Sequence, residues 1–224
     1  MNTYIVAAVG EWNERAFDSI CKRLNGMWLF CSTPDNLEGL LKENKPRYIF
    51  FPHWRWIVPE HVISNFECIC FHMTDVPYGR GGSPLQNLIV RGHKDTKLTA
   101  LRMEKGLDSG PIYSKESLSL AGSAHEVYQR ATALTWDMIQ EIIISEPTPV
   151  AQTGNPTLFK RRTPQESEIP DSLTLEQVYD YIRMLDAPGY PQAFLDIGDY
   201  RLTFQETSFN SDELKAHVTI RLKD

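Results

Sequence analysis

His72 and Asp108 are the two side chains whose type and setting point to chemistry. His72 lies in Phe71-His72-Met73-Thr74-Asp75-Val76-Pro77-Tyr78-Gly79-Arg80-Gly81-Gly82-Ser83-Pro84, and Asp108 stands between two glycines in Gly106-Leu107-Asp108-Ser109-Gly110-Pro111. A histidine changes charge near neutrality, and a carboxylate within reach orients or charges it. Together they can stabilise a developing oxyanion and take a proton from an attacking nucleophile, which is acyl-transfer chemistry. Taken alone, the two residues are better read as a histidine at a sheet edge bonded to a nearby carboxylate.

The elements around them define where such a pair sits. Tyr4–Gly10, Met27–Cys31, Arg47–Phe51 and Cys68–Phe71 are short apolar runs of the kind that form buried parallel strands. Helical periodicity over residues 13–24 and 36–42 separates the first three. The order predicts an α/β fold, a doubly wound (Rossmann-like), mostly parallel sheet, with ligands gathering beyond the carboxyl ends of the strands. His72 follows one of those ends. Pro84–Val90 reads as a helix with proline in its first turn, and Lys97–Met103 and Ile112–Leu118 as strands flanking the Asp108 turn. Ser123 with Glu126 three residues later forms a capping-box signature opening a long helix to Ile144.

From Pro147 to Pro170 the composition turns to Pro, Thr, Gln, Gly and Ser, a connector. A helix near Leu175–Leu185 and strands Tyr200–Glu206 and Lys215–Leu222 then predict a small C-terminal α+β tail. The expected division is a catalytic domain over 1–150, a linker over 151–170 and a subdomain over 171–224.

The His72 and Asp108 stretches resemble the folate-dependent formyltransferases. That family's pattern runs Asn-x-His, then Leu-Pro and Arg-Gly with a following Pro, and a Leu-Asp-x-Gly beyond. Pro77, Arg80, Gly81 and Pro84 fall at matching places, and Asp108 lies 36 positions after His72, the family's interval. The resemblance covers roughly residues 1–165. It implies His72 as oxyanion stabiliser and proton shuttle, Asp108 as its partner, and N10-formyltetrahydrofolate as formyl donor. Where the family has asparagine, this chain has Cys70. A thiol is a poor substitute as a hydrogen-bond donor. Either His72 and backbone groups suffice, or another amide such as Gln86 or Asn87 reaches in. Cys70 is not expected to be a nucleophile.

The same resemblance places the folate's pterin against Trp54, Arg55 and Trp56 and under the loop holding Arg102, Met103, Glu104 and Leu107. An aromatic core cluster is the competing use of the tryptophans. Tyr78, Arg80 and Gly81 are expected at the acceptor, since arginine grips a phosphate or carboxylate in bidentate fashion. Tyr190 is a candidate to stack on a base. Phe159-Lys160-Arg161-Arg162 and Leu185-Asp186-Ala187-Pro188-Gly189-Tyr190-Pro191 are similar to segments of sugar N-formyltransferases, most of all those of the pseudaminic-acid route. On that ground the expected acceptor is the amine of a nucleotide-linked sugar, a UDP-4-amino-4,6-dideoxy-N-acetyl hexose. A methionyl-tRNA acceptor and a non-catalytic ligand-binding module are the alternatives.

Composition sets the remaining expectations. The net charge of −6 argues against broad attraction to nucleic acid, and with the short tail it disfavours the tRNA alternative. No apolar run is long enough for a membrane span, and the start lacks a basic signal region, so a cytoplasmic protein without a membrane partner is expected. Gly10 lacks the further glycines of a dinucleotide fingerprint, excluding a nicotinamide cofactor. The histidines and cysteines show no metal-ligand spacing, so no metal is expected. The partner set is then one small substrate and, as an allowance, a second copy in a homodimer.

Overall fold

The computed structural model describes residues 1–223. Its chain forms two compact units, the first from residues 1–81, 97–118 and 129–158, the second from 82–96, 119–128 and 159 onward.

The first unit is built on a six-stranded sheet. Its strands are β1 (Thr3–Ala8), β2 (Met27–Cys31), β3 (Tyr48–His53), β4 (Cys68–His72), β6 (Asp95–Arg102) and β7 (Ile112–Ser119), in the order β2-β1-β3-β4-β6-β7. A two-residue strand, β5 (Arg80–Gly81), follows β4 in sequence. β2, β1, β3 and β4 run parallel, and β6 pairs antiparallel with β4 so that His72 faces Thr99. The expected mostly parallel α/β sheet is therefore present.

Alternation decides the two faces. Ile5, Ala7, Cys31, Ile49, Phe51 and Cys68 pack on one side with Leu37 of α2 (Pro34–Glu43) and Val62 of α3 (Glu60–Asn65). On the other side Trp28 and Phe30 meet Phe17 of α1 (Glu11–Ile20) and Trp136. Trp136 belongs to α5 (Ala124–Ser145), whose Ser123–Glu126 capping box forms as the sequence predicts. Sheet faces covered by helices on both sides leave the strand ends as the place for a ligand.

The second unit holds α4 (Pro84–Val90), α6 (Leu175–Arg183) and an antiparallel sheet β9 (Ala193–Ile197), β10 (Tyr200–Phe209) and β11 (Leu214–Leu222), in the order β11-β10-β9. The chain cut at residue 158 falls within the two-residue strand β8 (Leu158–Phe159). Buried Arg183, held by Asp180 three residues back on α6, ties that helix to the carbonyls of Leu120 and Gly122. No helix among the described residues is long and apolar enough to cross a membrane.

Candidate active site

β4 ends at His72, and the loop after it folds back to receive the imidazole. Buried Thr99 of β6 donates to the Thr74 carbonyl at 2.7 Å, holding the loop's start. The Gly79 carbonyl then lies 2.8 Å from His72 Nε2 and also accepts from the Thr74 hydroxyl at 3.2 Å. A carbonyl only accepts, so Nε2 carries the proton and Nδ1 is the nitrogen left to act. Nδ1 faces Asp108 Oδ2 at 3.6 Å. That separation exceeds a hydrogen bond.

Asp108 sits in the turn between β6 and β7 with φ +46°, a left-handed conformation that aspartate tolerates better than most residues. Its Oδ2 accepts from the Gly81 amide at 2.8 Å. The matched Arg-Gly motif thus works through its backbone: Gly81 N–H anchors the carboxylate. Both His72 and Asp108 side chains are largely shielded, at 9% and 17% exposure, which strengthens charge interactions between them.

Arg80 is engaged by Gln152, whose Oε1 accepts from its Nε and one terminal nitrogen at 3.1 and 2.8 Å. Tyr78 closes a turn onto the Asp75 carbonyl. Tyr190 belongs to the second unit, where its ring stacks on Tyr128 at 5.2 Å.

Trp54 and Met103 pack on the same apolar cluster beneath the sheet ends, and Trp56 meets Trp54 edge-on at 4.8 Å. The Arg55 guanidinium lies 5.7 Å from the Trp56 ring centre. Trp56 and Leu107 remain exposed, as do Arg102 and Glu104. Lys105, in the Asp108 turn, reaches Glu60 of α3 at 3.5 Å. A cavity of about 440 Å³ beside Pro77, Tyr113 and Val150 includes neither His72 nor Asp108 in its lining. Its Lys115 is already held by Asp75 at 2.5 Å.

Cys70 packs against the core cluster, and burial, reinforced by the Asp108 charge, pushes its thiol well above its ordinary range. Such a thiol holds almost no thiolate near neutrality, the form a nucleophile needs. Cys70→Ala is therefore expected to keep kcat within about tenfold of the parent, because a thiol held protonated supplies no general-base help of the usual hundredfold or greater size. A formyl adduct trapped on Cys70 at a competent rate speaks against this. The amides considered as stand-ins are engaged elsewhere: Gln86 donates to Tyr128 Oη and the Met184 carbonyl, and Asn87 to the carbonyls of Gly82, Ser83 and Lys160.

Among the described residues no group of three or more His, Cys, Asp or Glu side chains is placed to hold a metal ion.

A solved methionyl-tRNA formyltransferase from Clostridium thermocellum shares 42% identity, with all of both chains covered and a TM-score of 0.97. The chain belongs to the formyltransferase family. Members of this family take the formyl group from N10-formyltetrahydrofolate. Residues 164–221 match the C-terminal domain of methionyl-tRNA formyltransferase. A methionyl-tRNA formyltransferase from Clostridium perfringens is 28% identical over 189 residues, 80% of this chain and 60% of its own. This chain spans about three fifths of the length of that curated relative and of a second one from Wolbachia pipientis.

These findings correct two expectations. The nucleotide-sugar acceptor, with its pseudaminic-acid assignment, is overturned by these methionyl-tRNA formyltransferase relatives, whereas a 4-N formyltransferase from Francisella tularensis shares only 17% identity at a TM-score of 0.69, a likeness of fold covering 88% of this chain and 93% of that one. The exclusion of nucleic acid is overturned by the same relatives, whose names specify a tRNA. Net charge misled here because it averages over the surface. A chain at −6 still concentrates three cations in Lys160-Arg161-Arg162.

Proposed function

We propose that this chain is a methionyl-tRNA formyltransferase acting in the cytoplasm, moving a formyl group from N10-formyltetrahydrofolate to the amine of methionyl-tRNA. The observation that carries the reading is the end-to-end likeness to the Clostridium thermocellum protein. The folate, when bound, supplies an activated formyl carbon. Trp54 and Met103 offer an apolar floor for its flat ring, Trp56 and Leu107 an exposed wall, and Glu104 and Arg102 polar groups at the rim.

His72 and Asp108 handle charge and protons. With Nε2 committed to Gly79, a neutral imidazole turns the Nδ1 lone pair toward the Asp108 carboxylate 3.6 Å away. Two acceptors facing each other repel unless a hydrogen lies between them. The amine's N–H is suited to that place, and its proton can pass to Nδ1 as the nitrogen becomes acidic on bond formation. The resulting Nδ1–H faces Asp108, whose carboxylate balances the imidazolium, and that proton would pass on to the donor nitrogen that leaves as its bond to the formyl carbon breaks. Exposed Lys160 and Arg161 provide local positive charge for a phosphate backbone.

Protein incubated with N10-formyltetrahydrofolate and methionyl-tRNA should give N-formylmethionyl-tRNA by mass spectrometry of the released ester. Its KM for the tRNA should rise steeply with salt, because phosphate contacts release counterions. Free methionine should remain unmodified. Loaded tRNA left unformylated, or free methionine used equally well, rejects this function.

A further inference from the structure

We propose that Gln152 is a positioning residue for Asp108, acting through the backbone of the turn that carries it; the catalytic consequence rests on the formyl-transfer reading above. The Gln152 side-chain amide makes four hydrogen bonds: Oε1 accepts twice from Arg80, and Nε2 donates to the Asp108 and Gly110 carbonyls, both at 2.8 Å. That uses both lone pairs and both protons of the amide. Its orientation admits one solution, because a guanidinium only donates and a carbonyl only accepts.

Both ends of the segment holding Gln152 are fixed. Val150 exchanges two backbone hydrogen bonds with Ile112 at 2.8 Å each. Thr157 donates to the Pro77 carbonyl at 3.0 Å and accepts from Arg80 N–H at 2.9 Å. Gln152 therefore bridges the loop after His72, through Arg80, to the turn bearing Asp108. The carboxylate itself is gripped by the Gly81 amide, the neighbour of Arg80. One amide side chain sets the distance between the two halves of the catalytic pair while touching neither reacting group.

The test uses Gln152→Glu and Gln152→Ala. Glutamate keeps the volume and the Arg80 partner but donates to neither carbonyl. Both variants should lose roughly 10- to 100-fold in kcat, the scale of an ångström-level misplacement. KM for folate and for acceptor should stay within about threefold, since transition-state geometry is what changes. In an Asp108→Asn background the same changes should cost less than about threefold more, the mark of residues acting as a unit. The Gly81 amide NMR resonance, which reports its bond to Asp108, should shift in both variants. Should Gln152→Ala fail to fold, Gln152→Glu still decides.

Near-parent kcat in Gln152→Glu, full additivity with Asp108→Asn, or an unmoved Gly81 amide each overturns the proposal. If the parent transfers no formyl group, the functional reading fails, and the Gly81 resonance still decides the positioning role.

Discussion

Asp108→Asn and His72→Ala should each lower kcat by two or more orders of magnitude while leaving the fold intact. The asparagine variant is the cleaner. It is isosteric, tolerates the φ of +46°, and still offers an oxygen to the Gly81 amide. What it removes is the charge that balances an imidazolium 3.6 Å away. A hundredfold loss corresponds to about 2.7 kcal/mol of barrier. That is within reach of a charge interaction between shielded groups, where screening by water is weak. His72→Ala removes the proton acceptor outright, yet the Gly79 carbonyl keeps the Thr74 hydroxyl at 3.2 Å, so no orphaned acceptor is created there. Circular dichroism should match the parent for both. Turnover within tenfold of the parent in either variant, with folding preserved, removes these two residues from the chemistry.

The pair was legible in the sequence because each member carries a local signal. Cys68–Phe71 is an apolar run too short for a helix, so His72 had to fall at a strand end. Asp108 lies in a short, glycine-bounded turn between two strands. The capping box at Ser123 fixed the start of α5 from two residues alone. Where such signals are absent, elements and their ends do not show in the sequence. α3 has six residues, less than two turns, and shows no periodicity. The first helix ends at Ile20 and tightens into a single 3-10 turn over Cys21–Arg23, short of the expected residue 24. β9 follows Tyr190-Pro191 and carries Asp196 among its five residues, which hides it as a strand.

Gln152 was wholly invisible. It lies in a Pro-, Thr- and Gly-rich stretch whose composition reads as a connector, and its role comes from partners 42 to 72 positions away. A glutamine's hydrogen bonds leave no trace in spacing or periodicity. Acceptor choice was likewise unreadable from net charge, because binding of one ligand depends on where cations stand and not on their sum. Formyl chemistry requires a small set of groups at fixed intervals, so it shows in a motif. The acceptor is recognised by surface geometry, which folding assembles from distant segments.

Gly110→Ala should be among the most damaging conservative changes in the first unit. A Cβ on Gly110 falls 1.9 Å from the Arg102 carbonyl oxygen and 3.0 Å from its carbon. The obstacle is backbone, in a strand already tied by Arg102 N–H to the Pro111 carbonyl at 2.9 Å, so no side chain can swing aside. Either β6 or the Asp108 turn must move. Ordinary overpacking costs about 1–3 kcal/mol, and displacing a paired strand should reach the top of that range or beyond. For a chain of this length each kcal/mol lowers Tm by roughly 2–4 °C, so a fall of about 6 °C or more is expected. Activity should fall as well, because the Gly110 carbonyl accepts from Gln152 and Asp108 is two residues away. Gly39→Ala is the control: it lies in α2 with nothing within 4 Å of its added carbon. There alanine should stabilise by about 0.5–1 kcal/mol through helix propensity. A Gly110→Ala protein with parental Tm and kcat contradicts the tight turn and, with it, the geometry that places Asp108 beside His72.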